Sequence, residues 1–294
     1  MGRVNLSSKS SIGIALGGGG ARGLAHIGLL KVLMRDGIKP QCLSGASIGA
    51  IIAAAIAYGM SPDYLTEIAL KITKTSEMVK LVDWSPPRRG LLEGKKVQSF
   101  LETIFPNDLQ IQDLPIPIAV NAVDLSTGQE IIFSTGPLIP ALMASIAVPG
   151  IFNPFDIGGY QLVDGGVLNN VPTSILSIFN PSITISVDVQ INPRRDPHWM
   201  DLPQQPNWPL PMPEAFLEFY RAELIMLYEI TRRNLEACPP DLLISPNIPV
   251  EITPFLGFPR AQEIIDIGAQ AGEEHLPEIL ALLERKINTG ATNL

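Results

Sequence analysis

The sequence has few cysteines and few charged residues, and these shortages exclude several classes of protein. Its 294 residues include two cysteines, Cys42 and Cys238, which are too few for a disulfide framework or a cysteine-based zinc site. Charged residues make up 17% of the chain, and its net charge of −8 disfavours nucleic acid as a partner. We therefore expect a reducing, cytoplasmic environment and no bound nucleic acid.

Long apolar runs are also missing where a membrane or export signal would need them. Residues 1–11 contain no apolar segment of the kind found in signal peptides. Residues 40–62 carry no charge, but the helix predicted within them, from 48 to about 58, is far shorter than the ~20 residues that span a bilayer. We predict a buried central helix in this region.

Hydrophobic residues, in contrast, make up 46% of the chain, as is typical of a buried sheet covered by helices. Short apolar strand candidates alternate with helix candidates along the chain. The predicted strands are 11–16, 117–124, 130–134, 160–163, 183–189 and 242–244. The predicted helices are 24–35, 48–58, 62–73, 95–104, 137–148, one starting near 172, 214–237, 260–276 and 278–286, the last two separated by Pro277.

A serine between two glycines follows the strand candidate before residue 45. Gly45-Ala46-Ser47-Ile48-Gly49 matches the G-x-S-x-G pattern, and a helix rich in Ala and Ile follows at once. A serine at the apex of so tight a turn brings its neighbours two residues away close together, and glycine fits best at both flanks. This context favours a nucleophilic serine over a plain glycine-serine turn, and Gly45 and Gly49 would be its elbow glycines.

The glycine-rich stretch Gly17 to Gly23 allows two interpretations. Gly18, Gly20 and Gly23 match the dinucleotide-binding fingerprint, but the next strand ends in serine where an acidic residue would bind the ribose. Alternatively, the bare backbone presents N–H groups to an oxyanion. Arg22 would then brace the loop through nearby carbonyls or bind a substrate phosphate.

Activation of a serine requires a base. The three histidines are poorly placed: His26 follows the glycine loop and suits a supporting role, His198 lies in a proline-rich loop, and His275 lies on a charged helix face. Asp164 follows a strand and precedes Gly165 and Gly166, so its carboxylate could approach another site closely. Asp156 and Asp188 are alternatives without flanking glycines, and an ordinary Asp-Gly turn would explain Asp164 without catalysis.

Taken in order, the glycine-rich loop, the Ser47 elbow and Asp164-Gly165-Gly166 resemble the patatin-like phospholipases. The block from Ala144 to Phe152 is also similar to that family's segment ahead of the aspartate. The resemblance covers about residues 11–189 and implies a three-layer α/β/α sandwich with a mainly parallel central sheet. It implies a single patatin-like domain over 1–294, with a proline-rich loop at 192–213 and a helical part at 214–287.

The same resemblance implies hydrolysis of lipid acyl esters, with Ser47 as nucleophile and Asp164 as its sole partner, without metal or cofactor. Gly18, Gly19, Gly20 and Arg22 would form the oxyanion loop, and Gly165 and Gly166 the turn beside Asp164. The substrate would be a lipid or simpler acyl ester. Two alternatives stay open: a nucleotide- or dinucleotide-binding protein, and a catalytically idle lipid-binding regulator.

The segment from Lys71 to Lys96 is locally basic within an acidic chain. Together with nearby Trp84 it suggests peripheral contact with the inner membrane surface, although a solvated loop explains it as well. The sequence does not indicate an oligomeric state.

Overall fold

The computed structural model describes residues 11–72, 83, 90–195, 214–255 and 257–291. Most of the basic segment at 71–96 and most of the proline-rich loop at 192–213 lie outside these ranges, as does His198. The strands are β1 (Ile12–Leu16), β2 (Cys42–Gly45), β3 (Gly90–Leu92), β4 (Ile118–Asp124), β5 (Gln129–Phe133), β6 (Gly150–Phe152), β7 (Phe155–Ile157), β8 (Tyr160–Asp164), β9 (Ile183–Val187) and β10 (Leu242–Ile244).

The α-helices are α1 (Ala25–Arg35), α2 (Ile48–Ala57), α3 (Pro62–Ile72), α4 (Lys95–Ile104), α5 (Leu138–Ser145), α6 (Gly166–Asn169), α7 (Glu214–Ala237) and α8 (Ala261–Ala291). Short 3-10 helices occupy Gly20–Leu24, Ile111–Asp113, Thr173–Phe179 and Phe258–Arg260. Helix α3 begins as the sequence predicts, because the Ser61 hydroxyl accepts a hydrogen bond from the Tyr64 amide at 3.1 Å.

The main sheet is mixed but mostly parallel. In the described part of the chain its strands run in the order β10, β9, β1, β2, β4, β8, β7, and β5 also pairs with β4. The first five of these strands run parallel to one another, whereas β5 and β8 run antiparallel to β4 and β7 runs antiparallel to β8. The predicted α/β class with a mainly parallel central sheet is confirmed.

Helices cover the sheet on both faces, which makes the three layers. Successive side chains of a strand point to opposite faces. In β1, Ile14 and Leu16 belong to the main apolar core, which includes Leu30 of α1. Ala15 packs on the other face with Leu176 of the 3-10 helix Thr173–Phe179.

Two strands share one edge of β4 and approach each other head-on. Strand β5 pairs with Val120 to Asp124, and β2 also pairs up to Val120, so β2 must lie on the opposite edge. Strand β8 pairs with Ala122 to Asp124, which β5 also covers, so β8 lies on that same opposite edge. The carboxyl ends of β2 and β8, at Gly45 and Asp164, therefore meet on β4.

Most predicted elements are confirmed, with α7 and β10 at their predicted bounds. The predicted break at Pro277 is wrong, because α8 continues through it. Residues on both sides of Pro277, including Ile265 and Ile279, belong to the same core, and this packing favours one continuous helix. The helix predicted at 137–148 ends earlier, at Ser145, and the short strands β6 and β7 were not predicted.

Helices α1 and α8 pack backbone against backbone through glycines. A Cβ at Gly28 would lie 1.9 Å from the Ile265 carbonyl oxygen, and a Cβ at Gly268 would lie 1.9 Å from the Ala25 carbonyl oxygen. Backbone atoms cannot move aside as a flexible side chain can. The close approach of these two helices therefore requires glycine at both positions.

We expect Gly28→Ala to lower the free energy of unfolding by about 3 kcal/mol, although alanine favours helix by about 1 kcal/mol over glycine. Urea denaturation measures the change. Gly272→Ala is the milder comparison on α8 and should cost less, because its Cβ would lie 3.0 Å from the Val32 Cβ, whereas a Cβ at Gly28 would lie 1.9 Å from a backbone oxygen. A Gly28→Ala variant as stable as the unsubstituted chain would contradict the packing argument.

Candidate active site

Ser47 occupies the sharp turn between β2 and α2. Its φ is 52° and its ψ is −127°, a combination that is strained for a residue with a Cβ. The side chain is 8% exposed. The turn therefore holds the hydroxyl at the start of α2, where the positive end of the helix dipole lies.

The two elbow glycines allow this turn to form. A Cβ at Gly45 would lie 2.6 Å from the Ala50 nitrogen, and one at Gly49 would lie 2.1 Å from the Leu16 carbonyl oxygen. Both distances are shorter than van der Waals contact. The predicted steric reason for glycine at these positions is thus seen in the structure.

A segment at the end of α5 holds both sides of the site. The Ser47 amide donates a hydrogen bond to the Ser145 hydroxyl oxygen at 3.0 Å. Two residues later, the Ala147 carbonyl accepts a hydrogen bond from the Asp164 amide at 2.9 Å. Sequence reasoning missed this role of Ser145; the available signal was a serine within an otherwise apolar helix.

Asp164 lies where β8 ends against β4, beside Ser47. The Ser47 side chain lies next to its carboxylate and lowers the pKa of this group, and the Gly166 amide donates a hydrogen bond to it at 2.7 Å. Burial raises the pKa of Asp164 to about 6, against the lowering effect of these two groups. Ser47 and Asp164, adjacent to each other and nearly enclosed, form a hydroxyl–carboxylate pair.

A second carboxylate acts on this pair from α7. The charge of Glu223 contributes to the raised pKa of Asp164, and burial raises the pKa of Glu223 itself. The sequence showed no signal for this contact, because it depends on where α7 packs.

The glycine-rich loop passes directly over Ser47. A Cβ at Gly18 would lie 3.1 Å from the Ser47 Cβ, so only a glycine allows this approach. The Gly18 amide donates to the Asn170 carbonyl at 3.0 Å and is therefore not free to bind a substrate oxygen. Within the described ranges, the amides of Gly19 and Gly20 donate to no protein acceptor.

Arg22 braces the loop, the first of the two roles that the sequence left open. Its guanidinium is buried and donates to main-chain carbonyls at distances between 2.7 and 3.3 Å. The acceptors are the carbonyls of Val189, Gln190, Ile248, Pro249 and Ile252. A substrate phosphate is not its partner in this arrangement.

The other candidate bases are occupied elsewhere. His26 donates from Nε2 to the Gly17 carbonyl at 2.7 Å, and burial lowers its pKa to about 4, so it supports the loop as a neutral ring. His275 bonds to the Ala271 carbonyl of its own helix. Asp156 is exposed on β7, and Asp188 accepts a hydrogen bond from the Gln190 amide.

In the part of the chain that the structure describes, histidine, cysteine and acidic residues do not gather in groups of three that would hold a metal ion. Over the ranges that the structure describes, no helix combines the length and the apolar character needed to cross a bilayer.

The family model for patatin-like phospholipases matches residues 14–177. The chain belongs to the patatin-like phospholipase family. The resemblance inferred from the sequence motifs is therefore confirmed.

The sequences of known relatives align with about two thirds of this patatin-like chain. An uncharacterized NTE family protein of Mycobacterium tuberculosis is 34% identical over 197 residues, covering 66% of this chain and 54% of that protein. Neuropathy target esterase of Drosophila melanogaster is 32% identical over 184 residues, covering 61% of this chain and 13% of that protein. The chain thus spans about half the length of the mycobacterial relative.

A solved structure shares the fold of the patatin-like chain. The crystal structure of VipD from Legionella pneumophila matches with a TM-score of 0.57 at 14% identity, covering 95% of this chain and 67% of that one. At this identity the match describes the fold alone. It extends through the C-terminal third, where the sequence showed no motif.

The raised pKa of Asp164 predicts a pH-dependent cost in stability. Folding raises this pKa from 3.8 to about 6, so the folded state holds the proton more strongly and loses stability as pH rises through this interval. We expect Asp164→Asn to be more stable than the unsubstituted protein by about 3 kcal/mol above pH 6.

Below pH 4 the two proteins should approach equal stability, because the carboxyl is then protonated in both states. Urea denaturation at pH 4, 5, 6 and 7.5 measures the difference. A stability difference that does not change between pH 4 and 7.5 would show that Asp164 titrates normally.

Proposed function

We propose that this patatin-like chain is a serine acyl hydrolase that cleaves carboxylic esters of phospholipids, lysophospholipids or simpler lipids. The observation that carries the proposal is the position of the Ser47 side chain, on a strained turn and next to the buried Asp164 carboxylate, whose pKa it lowers. A hydroxyl beside a carboxylate on such a turn is the arrangement that nucleophilic catalysis needs. Ser47 is the nucleophile and Asp164 the general base.

In the first half-reaction the Ser47 oxygen attacks the ester carbonyl carbon while its proton passes to Asp164. A pKa of about 6 makes this carboxylate a stronger base than an ordinary aspartate, and it is still ionised at neutral pH. The tetrahedral intermediate then collapses, the ester C–O bond breaks, and the proton moves from Asp164 to the leaving alcohol. The acyl group stays on Ser47.

The negative oxygen of the intermediate is stabilised by backbone amides. Gly19 and Gly20 supply the donors, since the Gly18 amide is already bound to Asn170. The amino end of α2, beginning at Ile48, adds its dipole. Such preorganised donors are worth about 3 kcal/mol each in barrier height.

The second half-reaction releases the acid. Asp164 takes a proton from a water molecule, whose oxygen attacks the acyl carbonyl carbon. The Ser47 oxygen leaves and regains the proton, which restores the pair. For water to attack, the acyl group must lie over the Ser47 and Asp164 pair. The glycine-rich loop above Ser47 defines this position.

The two alternatives have less support. In the loop required for dinucleotide binding, the amides of Gly17, Gly18, Ala21 and Arg22 are already bonded within the protein. A catalytically idle lipid-binding regulator would have the same geometry with an unreactive serine. Labelling by a fluorophosphonate, which requires a reactive serine but no natural substrate, distinguishes that case.

Contact with a lipid surface is part of the proposed function. Helix α7 carries Phe219 and Met226 seven residues apart on one face, 62% and 52% exposed, with Ile225 beside them. Glu223 of the same helix acts on Asp164, so this apolar face borders the site. This location supports docking on the bilayer that holds the substrate; the cytoplasmic, inner-surface location stays a prediction.

Ser47→Ala should lower kcat/KM for p-nitrophenyl butyrate by at least about a thousandfold, because Ser47 carries the acyl group in the proposed reaction. It should also abolish fluorophosphonate labelling. Asp164→Asn should lower kcat/KM strongly while leaving the protein folded. The steady-state rates and gel-based labelling are the measurements.

Ser177→Ala and Asp156→Asn are the matched controls, since both side chains lie on the surface. In the unsubstituted protein, kcat/KM should rise as pH increases through about 6 and then level, because the ionised base is the active form. Full activity of Ser47→Ala would refute the proposal. An activity that falls as pH rises from 5 to 7 would rule out Asp164 as the base.

The double variant Phe219→Ser, Met226→Ser should bind phosphatidylcholine vesicles at least about fivefold more weakly, because two large apolar side chains leave the lipid surface. Co-sedimentation measures binding, and hydrolysis of soluble p-nitrophenyl butyrate should not change. Ile132→Ser, an exposed apolar residue on β5, is the control. Equal vesicle binding by the double variant and the unsubstituted chain would exclude this face of α7.

A further inference from the structure

Asn170, the residue after α6, binds the glycine loop at two points. Its carbonyl accepts the Gly18 amide hydrogen at 3.0 Å, and its side-chain Nδ2 donates to the Gly18 carbonyl at 3.1 Å. The side chain is buried, and the two bonds together fix both polar groups of one loop residue. Asn170 lies outside the glycine-rich loop, the Ser47 elbow and the Asp164-Gly165-Gly166 turn.

The second bond has a consequence for the next residue. The Gly18 carbonyl and the Gly19 N–H belong to one peptide unit, and none of the described peptide bonds is cis. In a planar trans peptide these two groups point in opposite directions. When Asn170 holds the Gly18 carbonyl, it also sets the direction of the Gly19 N–H.

Asn170 also contacts the turn that carries Asp164. A Cβ at Gly166 would lie 2.4 Å from the Asn170 Oδ1, the same distance as a Cβ at Gly18. The Gly166 amide in turn donates to the Asp164 carboxylate at 2.7 Å. One side-chain amide is therefore packed between the loop above Ser47 and the turn beside its partner.

Without the hydrogen bond from Asn170, the peptide between Gly18 and Gly19 could rotate. Glycine on both sides of that peptide imposes little steric barrier to such a rotation. The rotated peptide would present a carbonyl oxygen instead of an N–H, and an oxygen would repel the developing oxyanion. The orientation of the glycine-rich loop therefore depends on Asn170.

We propose that Asn170 is a positioning residue that orients the Gly19 N–H toward the oxyanion formed on the ester attacked by Ser47. The proposal rests on the proposed function above. Asn170 does not touch the reacting atoms; it acts through the Gly18–Gly19 peptide. Its removal should therefore affect the transition state and spare substrate binding.

Asn170→Ala and Asn170→Asp test this role. The aspartate keeps the size of the side chain but cannot donate to the Gly18 carbonyl. We expect kcat for p-nitrophenyl butyrate to fall about 10- to 100-fold in both variants, with KM within about twofold. The affinity for an alkyl trifluoromethyl ketone, which forms a tetrahedral adduct with serine, should fall by a similar factor.

Asn169→Ala is the matched control. Asn169 and Asn170 are each 4% exposed, but the Asn169 side chain donates to the Ser174 hydroxyl at 3.2 Å and not to the glycine loop. It should keep both kcat and affinity for the ketone. Thermal melting of each variant identifies any that is unfolded, and Asn170→Asp replaces Asn170→Ala if the alanine variant melts early.

The outcomes separate this inference from the proposed function. If the unsubstituted protein hydrolyses no ester and Ser47 is not labelled, the proposed function fails and this inference fails with it. If the unsubstituted protein is active but a folded Asn170 variant keeps its kcat, the positioning role alone is refuted. A loss confined to KM, or an equal loss in Asn169→Ala, also refutes it.

Discussion

The site depends on the head-on meeting of β2 and β8 along one edge of β4. In a purely parallel sheet the carboxyl ends of all strands lie at one end, and neighbouring strands run side by side. Strand β8 runs the other way, so it can follow β2 along the same edge and end against it. This reversal brings Asp164, which is far from Ser47 in the sequence, to the turn that carries Ser47.

The surrounding residues hold two features that cost stability, the strained turn of Ser47 and the buried carboxyl of Asp164. Backbone hydrogen bonds to Ser145 and Ala147 hold the two residues from one segment. Nearby, the side-chain oxygen of Asn121 is buried without a hydrogen-bond partner in the described chain. Such an unmet polar group is expected where a scaffold serves chemistry as well as stability.

The sequence predicted those features that depend only on residues close together in the chain. The Ser47 elbow, the turn after Asp164 and helix α7 each carry their signal within a few residues, and all were found from the sequence. The continuity of α8 through Pro277 was missed because it follows from packing against α1, through contacts such as Gly28 against Ile265. Proline signals a break locally, but burial of both halves of the helix outweighs one lost hydrogen bond.

The same distinction explains why the recognisable motifs end before the C-terminal third. Arg22 is held there by the carbonyls of Ile248, Pro249 and Ile252, and the Ala21 amide bonds to the Pro254 carbonyl. These acceptors are backbone atoms, which almost any sequence can supply if the chain follows the same path. The glycine loop can therefore depend on a region that carries no residue signature, which agrees with a family match that ends at residue 177 and a fold match that continues.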